Sequence, residues 1–272
     1  MKSKLILIMF FTLMFETLLG KSKITGSVIN EESKSPIAYV NIGIVGKNIG
    51  TVSNEDGLFT LLIESQYMND SLLFSCVGFE PHSIKISDIQ EDNVINLKEK
   101  LYFLDEVIVK PKIFKEQRFG ISSETRLLGV GFRDNELGYE CGLLMRNKKK
   151  AEIKSVTVNI LSCTYDSIYY RLNIYEAKGR RNFENILTEP IYINVSMEEI
   201  SGGKLTISLI EKNIIVNGNF LVTLEHVRGL GEGSLLFPAS PKQKTYYRKT
   251  SQGKWETAPI GMSLSIIADV EK

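Results

Sequence analysis

Histidine is nearly absent from this chain of 272 residues, which contains only His82 and His226. A zinc site or a serine–histidine–aspartate triad needs histidine at its centre, so each half of the chain could supply one at most. Only contact between the two halves could bring the pair together. We expect both histidines to be ordinary strand residues, and we expect neither a metal nor a cofactor.

Cysteine is also scarce, since Cys76, Cys141 and Cys163 are the three present. Three scattered cysteines are too few for a disulfide framework. Cys76 lies inside an apolar run, residues 72–77, which favours a buried free thiol. Cys141 and Cys163 could pair if their strands are neighbours, because a disulfide needs closely spaced β carbons.

An excess of either charge is missing, with 33 basic and 32 acidic residues and a formal net charge of +1. Such a balance offers no global field to attract nucleic acid. The basic run at residues 146–150 is the one local patch, and it is more typical of a solvated turn than of a polyanion site. We therefore expect no nucleic-acid partner.

Catalytic signatures are lacking as well. Residues 229–234 read Gly-Leu-Gly-Glu-Gly-Ser, but no Lys-Ser/Thr pair follows, and no Gly-x-Ser-x-Gly elbow is present. This glycine-rich stretch is better interpreted as a flexible loop that shapes a cleft. The sequence thus favours a protein that is not an enzyme, with no catalytic residues.

The chain lacks a convincing membrane span at its start. Lys2 and Lys4 precede an apolar run at residues 5–15, which is shorter than the ~20 residues that a span requires. With the small residue Gly20 following, this pattern predicts a cleaved secretory signal at residues 1–20 and no transmembrane segment in the mature chain. No cysteine lies nearby, so we do not expect a lipid anchor there.

What the sequence has in abundance is short β patterns. Residues 24–29, 37–44, 58–63, 72–77 and 82–86 alternate or form short apolar runs between polar turns. Residues 50–59 read Gly-Thr-Val-Ser-Asn-Glu-Asp-Gly-Leu-Phe, which predicts a hairpin whose corner uses Asp56 and Gly57. The carboxylates of Glu55 and Asp56 favour turn chemistry over a calcium site, because the loop lacks an ordered series of oxygen donors. A β-sandwich over residues 23–110 follows from this spacing.

These residues also carry a resemblance. The segments Ile-Thr-Gly-Ser-Val (24–28), Pro-Ile-Ala-Tyr-Val-Asn-Ile (36–42), residues 50–59 and Phe-Ser-Cys-Val-Gly-Phe (74–79) resemble the carboxypeptidase D regulatory-like domain. The resemblance implies a prealbumin-like sandwich of about seven strands with no catalytic role. Such domains occur in Gram-negative envelope proteins, which implies the periplasm, an outer-membrane association or the cell surface.

The motif Leu-Asp-Glu-Val-Ile-Val-Lys at residues 104–110 resembles the segment that follows this domain in many TonB-dependent transporters. Two interpretations stay open: a final edge strand of the sandwich, or a retained contact with the energising machinery. Residues 111–125 are charged and begin at Pro111, so we predict a linker there and expect residues 23–110 to fold without the remainder.

Residues 126–272 return to a β pattern of about eight or nine strands with long polar loops. This spacing predicts a second sandwich of jelly-roll type. The strands at residues 170–175 and 220–225 are loosely similar to jelly-roll partner domains of bacterial surface proteins. The whole chain is therefore expected to be all-β, with two sandwich domains.

The best candidates for ligand contact are aromatic. Tyr246, Tyr247 and the sole tryptophan, Trp255, flank Arg248 within a predicted loop or hairpin at residues 242–255. Aromatic faces stack on sugar rings or peptide side chains, and a nearby charge fixes the orientation. We predict these four residues as ligand contacts. The alternative is that Trp255 and one tyrosine anchor the second core.

These observations predict an exported, non-enzymatic binding or adaptor module of the cell envelope, with a glycan or an envelope protein as partner. The second hypothesis is a carbohydrate-active hydrolase on the second sandwich, in which Asp166, Glu176 or Glu225 would supply paired carboxylates about 5–5.5 Å or 6.5–9.5 Å apart. A third is a purely structural envelope component.

Overall fold

The computed structural model describes residues 21–90, 93–102, 113–134 and 136–272. This part of the chain is all-β, as predicted, and its helical pieces are short 3-10 turns at Ser65–Tyr67, Ile86–Asp88, Met197–Glu199, Ser201–Gly203 and Ile210–Lys212. No helix within these ranges is long and apolar enough to cross a membrane. The predicted signal at residues 1–20 and the motif at residues 104–110 lie outside the described residues.

The first domain is a sandwich of seven described strands in two sheets. The strands are β1 Lys21–Asn30, β2 Asn41–Gly43, β3 Gly50–Val52, β4 Leu58–Glu64, β5 Ser71–Ser75, β6 His82–Lys85 and β7 Asn93–Leu97. One sheet has the order β4-β1-β7 and the other β3-β2-β5-β6. Along β4, Phe59, Leu61 and Ile63 point into the core while the residues between them are exposed, which is the two-residue period of a half-buried strand.

The corner at Asn54 to Gly57 does not close the hairpin that we predicted, because β3 pairs with β2 and β4 pairs with β1. The corner instead carries the chain from one sheet to the other. Its local hydrogen bonds come from Asn54 rather than Asp56: the Asn54 side chain accepts from the backbone N–H groups of Asp56 and Leu58 at 3.0 and 2.8 Å.

The strands of the second domain are β8 Phe114–Gly120, β9 Gly129–Arg133, β10 Glu140–Met145, β11 Lys150–Asn159, β12 Ser162–Cys163, β13 Ser167–Gly179, β14 Asn182–Asn185, β15 Ile191–Ser196, β16 Lys204–Ser208, β17 Ile215–Asn217, β18 Phe220–His226, β19 Ser234–Ser240, β20 Thr245–Arg248, β21 Glu256–Ala258, β22 Gly261–Met262 and β23 Leu264–Glu271. A seven-stranded sheet (β14-β13-β18-β10-β20-β21, with β15 beside β13) packs against a five-stranded one (β16-β11-β23-β8, with β17 beside β11). A smaller sheet of β9, β12, β19 and β22 closes one side.

One strand lies where we predicted linker. Residues 114–120 form β8, which pairs antiparallel with β23. Only Phe119 of this strand is buried, and residues 115–118 before it are exposed and charged or polar. Those residues made the segment resemble a linker, yet charge on an outermost strand is a common protection against edge-to-edge pairing.

The strand β18 is buried along its whole length. One side faces the core of the second domain through Phe220, Val222 and Leu224. Its other side carries Thr223 and Glu225, both fully buried. A strand that is polar on one face and buried on both must be covered by a second layer, and that layer includes the first domain.

Candidate functional site

The outer face of the seven-stranded sheet carries a buried charged network. Successive residues of a strand point to opposite faces, so Tyr170, Leu172 and Ile174 of β13 enter the core while Arg171 and Asn173 point outward. Arg171 is 1% exposed and Glu225 is 0% exposed. Since burying a charge is costly unless it is paired, the partners of each group decide what this face can do.

Arg171 and Glu225 form the first ion pair of the network. Nε and Nη2 of Arg171 donate to the same oxygen, Oε2 of Glu225, at 3.1 and 2.8 Å. Nδ2 of Asn173 donates to that oxygen as well, at 2.8 Å. The other carboxylate oxygen, Oε1, is buried and makes no hydrogen bond within the described residues.

Glu140 and Arg248 form the second pair. Nε and Nη2 of Arg248 lie 2.7 and 2.6 Å from Oε2 of Glu140. The hydroxyl of Tyr175 and Nδ2 of Asn173 donate to Oε1 at 2.8 and 3.0 Å, and the Thr223 hydroxyl donates there too. Glu140 therefore accepts four hydrogen bonds and has Nη2 of Arg248 as an ion-pair contact, and Asn173 bridges the two carboxylates.

The two carboxyl groups have pKa values displaced in opposite directions. Burial alone would raise the pKa of Glu225, but the charges of Arg171 and Arg248 and the hydrogen bonds that it accepts lower it overall. Burial raises the pKa of Glu140, and the neighbouring Glu225 adds to that rise, against the opposing charge of Arg248. Glu225 is thus held as an anion, and Glu140 is the member that titrates first as the pH falls.

The first domain completes this network. Nη1 of Arg171 donates to the Tyr39 carbonyl oxygen at 2.7 Å, and Nη2 donates to Oδ1 of Asn41 at 2.6 Å. Both acceptors belong to the first domain: Tyr39 lies just before β2, and Asn41 is the first residue of that strand. The guanidinium of Arg171, in the second domain, is therefore hydrogen-bonded partly by the first domain. The interface between the two domains, which we call the seam, thus has a buried charge at its centre.

An aromatic cluster closes the seam on one side. The Tyr39 ring lies 5.3 Å from the ring of Tyr169 and 5.4 Å from that of Tyr192. Val227 and Val52 pack into the same cluster. At its rim the guanidinium of Arg228 stands 5.2 Å from the Tyr169 ring. The seam thus has an apolar side as well as a charged centre, which is typical of a stable domain interface.

The loop between β20 and β21 inserts into the same seam. Ser251 is fully buried and its hydroxyl lies 3.1 Å from Oδ1 of Asn41. Gln252 donates to the Ser75 hydroxyl at 2.7 Å and accepts from the Gly46 backbone N–H at 2.9 Å. Part of the loop that we predicted to contact a ligand, at Ser251 and Gln252, therefore contacts the first domain of its own chain.

Two glycines make that insertion possible. A β carbon at Gly43 would lie 2.5 Å from the Ser251 carbonyl oxygen, and one at Gly50 would meet the same atom. These glycines face each other across the β2–β3 ladder. Their missing side chains leave room for the loop backbone.

A cleft of about 360 Å³ opens beside this seam. Its basic side chains are Lys100, Arg171 and Arg248, and its aromatic side chains are Phe79, Tyr102, Tyr175 and Phe183. Both domains contribute to it, the first through Asn41, residues 73–81, Lys100 and Tyr102, and the second mainly through β13, β14 and Arg248. This volume lies at the small end of the range for small-molecule sites.

The structure separates the four predicted contact residues. Arg248 lines the cleft but is 8% exposed, and its guanidinium lies 5.2 Å from the ring of Trp255. Trp255 and Tyr246 meet the cleft residue Phe183 edge-on, at 5.4 and 5.6 Å. Tyr247 points the other way, stacking on Tyr139 and packing against the second core. Three of the four are therefore in or beside the cleft, and Tyr247 is the tyrosine that anchors the core.

The other predicted groups lie apart. Asp166 and Glu176 are ten positions apart on or beside the extended strand β13, or roughly 30 Å, and Glu176 is engaged by Lys178 at 2.7 Å. His82 is exposed on β6 and His226 is buried on β18. The three cysteines are free thiols. No cluster of three potential metal ligands occurs in the described ranges.

Sequence reasoning missed Arg171, Glu140 and Asn41. The available signal was the alternation of residues 170–175, in which Arg171, Asn173 and Tyr175 share one face. That pattern is the same for a face exposed to solvent and a face covered by another domain. Strand pairing across residues far apart in the sequence brings Glu140 beside Glu225 and Arg248, and no local motif indicates it.

Comparison with known proteins identifies the first domain. Residues 24–109 match the family model of the CarboxypepD_reg-like domain. No curated protein matches the chain. Among solved structures, the D431N mutant VP2 protein of infectious bursal disease virus is 9% identical with a TM-score of 0.19, over 92% of this chain and 62% of that one. The VP2 subviral particle of the same virus gives 10% identity and a TM-score of 0.19, over 92% and 64%.

This chain thus spans less than two thirds of either VP2 chain, and a likeness so weak carries no argument about fold or function. The family match covers the seven strands of the first sandwich and ends before β8. The amino-terminal sandwich of this protein is therefore a CarboxypepD_reg-like domain.

Proposed function

We propose that the protein is an exported, non-enzymatic binding or adaptor module of the bacterial cell envelope, and that it holds its ligand in the cleft between its two domains. The observation that supports this most is the composition of the cleft. Fixed guanidinium groups, amides and aromatic rings from both domains converge on one concave surface. Such convergence is the usual character of a recognition site.

A non-catalytic role is supported by the position of the carboxylates. Glu140 and Glu225 are both 0% exposed, and neither lines the cleft. Their lone pairs are directed to arginine, asparagine, tyrosine and threonine donors, so a substrate would have to displace part of a buried network to reach them.

One observation favours the hydrolase alternative. Glu140 and Glu225 have pKa values displaced in opposite directions, which is the pattern of an acid and base pair in glycosidases. In that alternative the separation of the domains would expose the pair. Release of reducing sugar by the wild type, and its loss in Glu140→Gln, would favour it.

Export is proposed from the sequence pattern of residues 1–20 and from the envelope context that the resemblance implies. Expression of the full chain in a Gram-negative host tests it. We expect a mature protein that begins near Lys21 and fractionates with the envelope. A cytoplasmic protein with an intact amino terminus would contradict the proposal.

Binding is tested with the wild type and Phe183→Ala. Phe183 lines the cleft and contacts Trp255 and Tyr246, so its loss should abolish retention of glycans on an array or of envelope proteins after cross-linking. Phe114→Ala is the matched control, because Phe114 is 44% exposed on β8 and does not line the cleft. Equal retention by both variants would remove the cleft from the proposal.

A further inference from the structure

Arg248 presents unused hydrogen-bond donors at the cleft. Its Nε and Nη2 atoms are engaged by Glu140, whereas Nη1 makes no hydrogen bond within the described residues. The side chain keeps 10% of its surface exposed and lines the cleft. Guanidinium groups bind carboxylates through paired N–H donors, so this geometry favours an anionic group in the ligand.

The surrounding charges point the same way. Glu140 and Glu225 lie behind the guanidinium groups and do not line the cleft, so two buried ion pairs turn their positive ends toward it. Lys100 adds a cation. Glu184 is the one acidic lining residue among those described, and Lys178 lies 3.5 Å from it.

The remaining side chains that the ligand could contact in the cleft are neutral, and they include aromatic rings and amides. Phe79, Tyr102 and Phe183 supply aromatic surface. Asn41 and Gln252 supply amides, and neither Nδ2 of Asn41 nor Oε1 of Gln252 has a hydrogen-bond partner within the described residues. Rings that cover apolar faces and amides that serve both donors and acceptors suit a polyhydroxylated ring.

We propose that the ligand of this cleft is an acidic saccharide, whose carboxylate binds Arg248 and Lys100 while its sugar ring lies against the aromatic side chains. This proposal rests on the proposed binding function and names the chemical class of its ligand. Arg248 is rigid because Glu140 holds it on one side and Trp255 covers it, so little side-chain entropy is lost on binding.

The sole tryptophan gives a direct measurement, because Trp255 lies over Arg248. Digalacturonate, the neutral disaccharide lactose and inorganic phosphate are titrated separately into the mature protein, with calorimetry as a second readout. We expect digalacturonate to change the Trp255 emission saturably and to bind at least about tenfold more tightly than lactose or phosphate, the factor that one charge-assisted hydrogen bond supplies. Its affinity should fall as salt is added.

Two variants, with a third as their control, locate the ligand's carboxylate. Lys100→Ala should weaken digalacturonate binding several-fold and leave lactose unaffected, while Lys98→Ala should change neither, because Lys98 lines a different pocket. Arg248→Lys keeps a positive charge beside Glu140 but removes the Nη1 donors of the guanidinium, so it should weaken digalacturonate binding further. If Arg248→Lys does not fold, the comparison of Lys100→Ala with Lys98→Ala tests the carboxylate contact by itself.

Each contrary result has a distinct meaning. Equal binding of lactose and digalacturonate overturns the acidic class and leaves the proposed binding function standing. If inorganic phosphate binds as tightly as digalacturonate, the cleft recognises an anion alone, and the proposal of a saccharide ligand is wrong. If no saccharide binds but Phe183→Ala still abolishes retention of an envelope protein, this inference falls and the proposed function survives. If no saccharide binds and Phe183→Ala does not reduce retention, both this inference and the proposed binding function are wrong.

Discussion

Tyr39 adopts a backbone conformation that aromatic residues rarely occupy, with φ at 56°. This left-handed conformation costs about 1–2 kcal/mol for a residue other than glycine. The contacts of Tyr39 give a reason for it: the carbonyl oxygen meets Arg171 and the ring meets Tyr169 and Tyr192. At this single position, local strain is offset by contact with the second domain.

Gly57 is constrained differently, by both conformation and space. Its φ is 73°, and a β carbon there would lie 2.5 Å from the Val28 carbonyl oxygen. Gly57→Val should therefore destabilise the first domain by more than the roughly 1–2 kcal/mol of backbone strain alone. Gly46→Val is the control, because Gly46 has a φ of 74° and open space around it. Equal losses in denaturant titrations would show that the close approach is unimportant.

His226 predicts a pH dependence of stability. It is 1% exposed, and neither ring nitrogen has a hydrogen-bond partner of normal geometry in the described residues. Burial lowers its pKa, and the nearby carbonyls of Arg228 and Glu136 oppose this only in part. The unfolded chain, with a histidine pKa near 6.5, then binds the proton more readily than the fold does. The contribution to stability is complete above that pH and is lost as the pH falls below it.

The free energy of unfolding, measured from pH 8 to pH 5, should fall more for the wild type than for His226→Gln. His82→Gln should keep the wild-type pH dependence, because His82 is exposed on β6. If His226→Gln kept that dependence too, another group would be responsible for it.

At the scale of elements, the positions of many strands could be predicted from the sequence, but which strands pair with each other could not. The alternation that predicted a strand at residues 58–63 corresponds to β4, whose buried residues follow the two-residue period. The same period could not show that β3 and β4 belong to different sheets, because pairing is decided by contacts distant in sequence. Residues 114–120 were assigned to a linker because polarity, rather than periodicity, dominated the prediction.

The loop between β20 and β21 is the clearest case. Its aromatic and basic residues predicted a ligand surface; Arg248 lines the cleft, and Trp255 lies beside it against Arg248 and Phe183. Ser251 and Gln252, which had no distinguishing character in the sequence, make its hydrogen bonds to the first domain. A site built by two domains is visible in the sequence only through the residues that one of them contributes.

Gly50→Ala tests the insertion of this loop. Its methyl group would meet the Ser251 carbonyl, so we expect the loop to leave the seam and residues 249–255 to exchange their amide hydrogens faster. Gly179→Ala is the control, since its β carbon would lie at an ordinary 3.7 Å from Asn182. Unchanged exchange in the first variant would contradict the tight fit described here.

For the whole molecule, the net charge is close to zero, yet several charged side chains are buried together at the interface between the domains. Two arginines and two glutamates are buried together, and the first domain supplies two acceptors to one of them. Breaking a buried pair by removing one partner typically costs about 3–5 kcal/mol, because the remaining charge is left without compensation. We infer that the CarboxypepD_reg-like domain and the second sandwich stabilise each other, with closer contact than a proline-initiated linker led us to expect.

Native-state hydrogen exchange of the mature protein tests this inference most directly, with Asn41→Ala compared with the wild type. The substitution lies in the first domain and removes an acceptor for Arg171 and Ser251. We predict that amides of β18, in the second domain, lose protection together with those of β2. The matched variant Asn96→Ala, on the exposed face of β7, should leave β18 unchanged. If β18 kept its wild-type protection in Asn41→Ala, the two domains would be independent and the account of a shared charged network would be wrong.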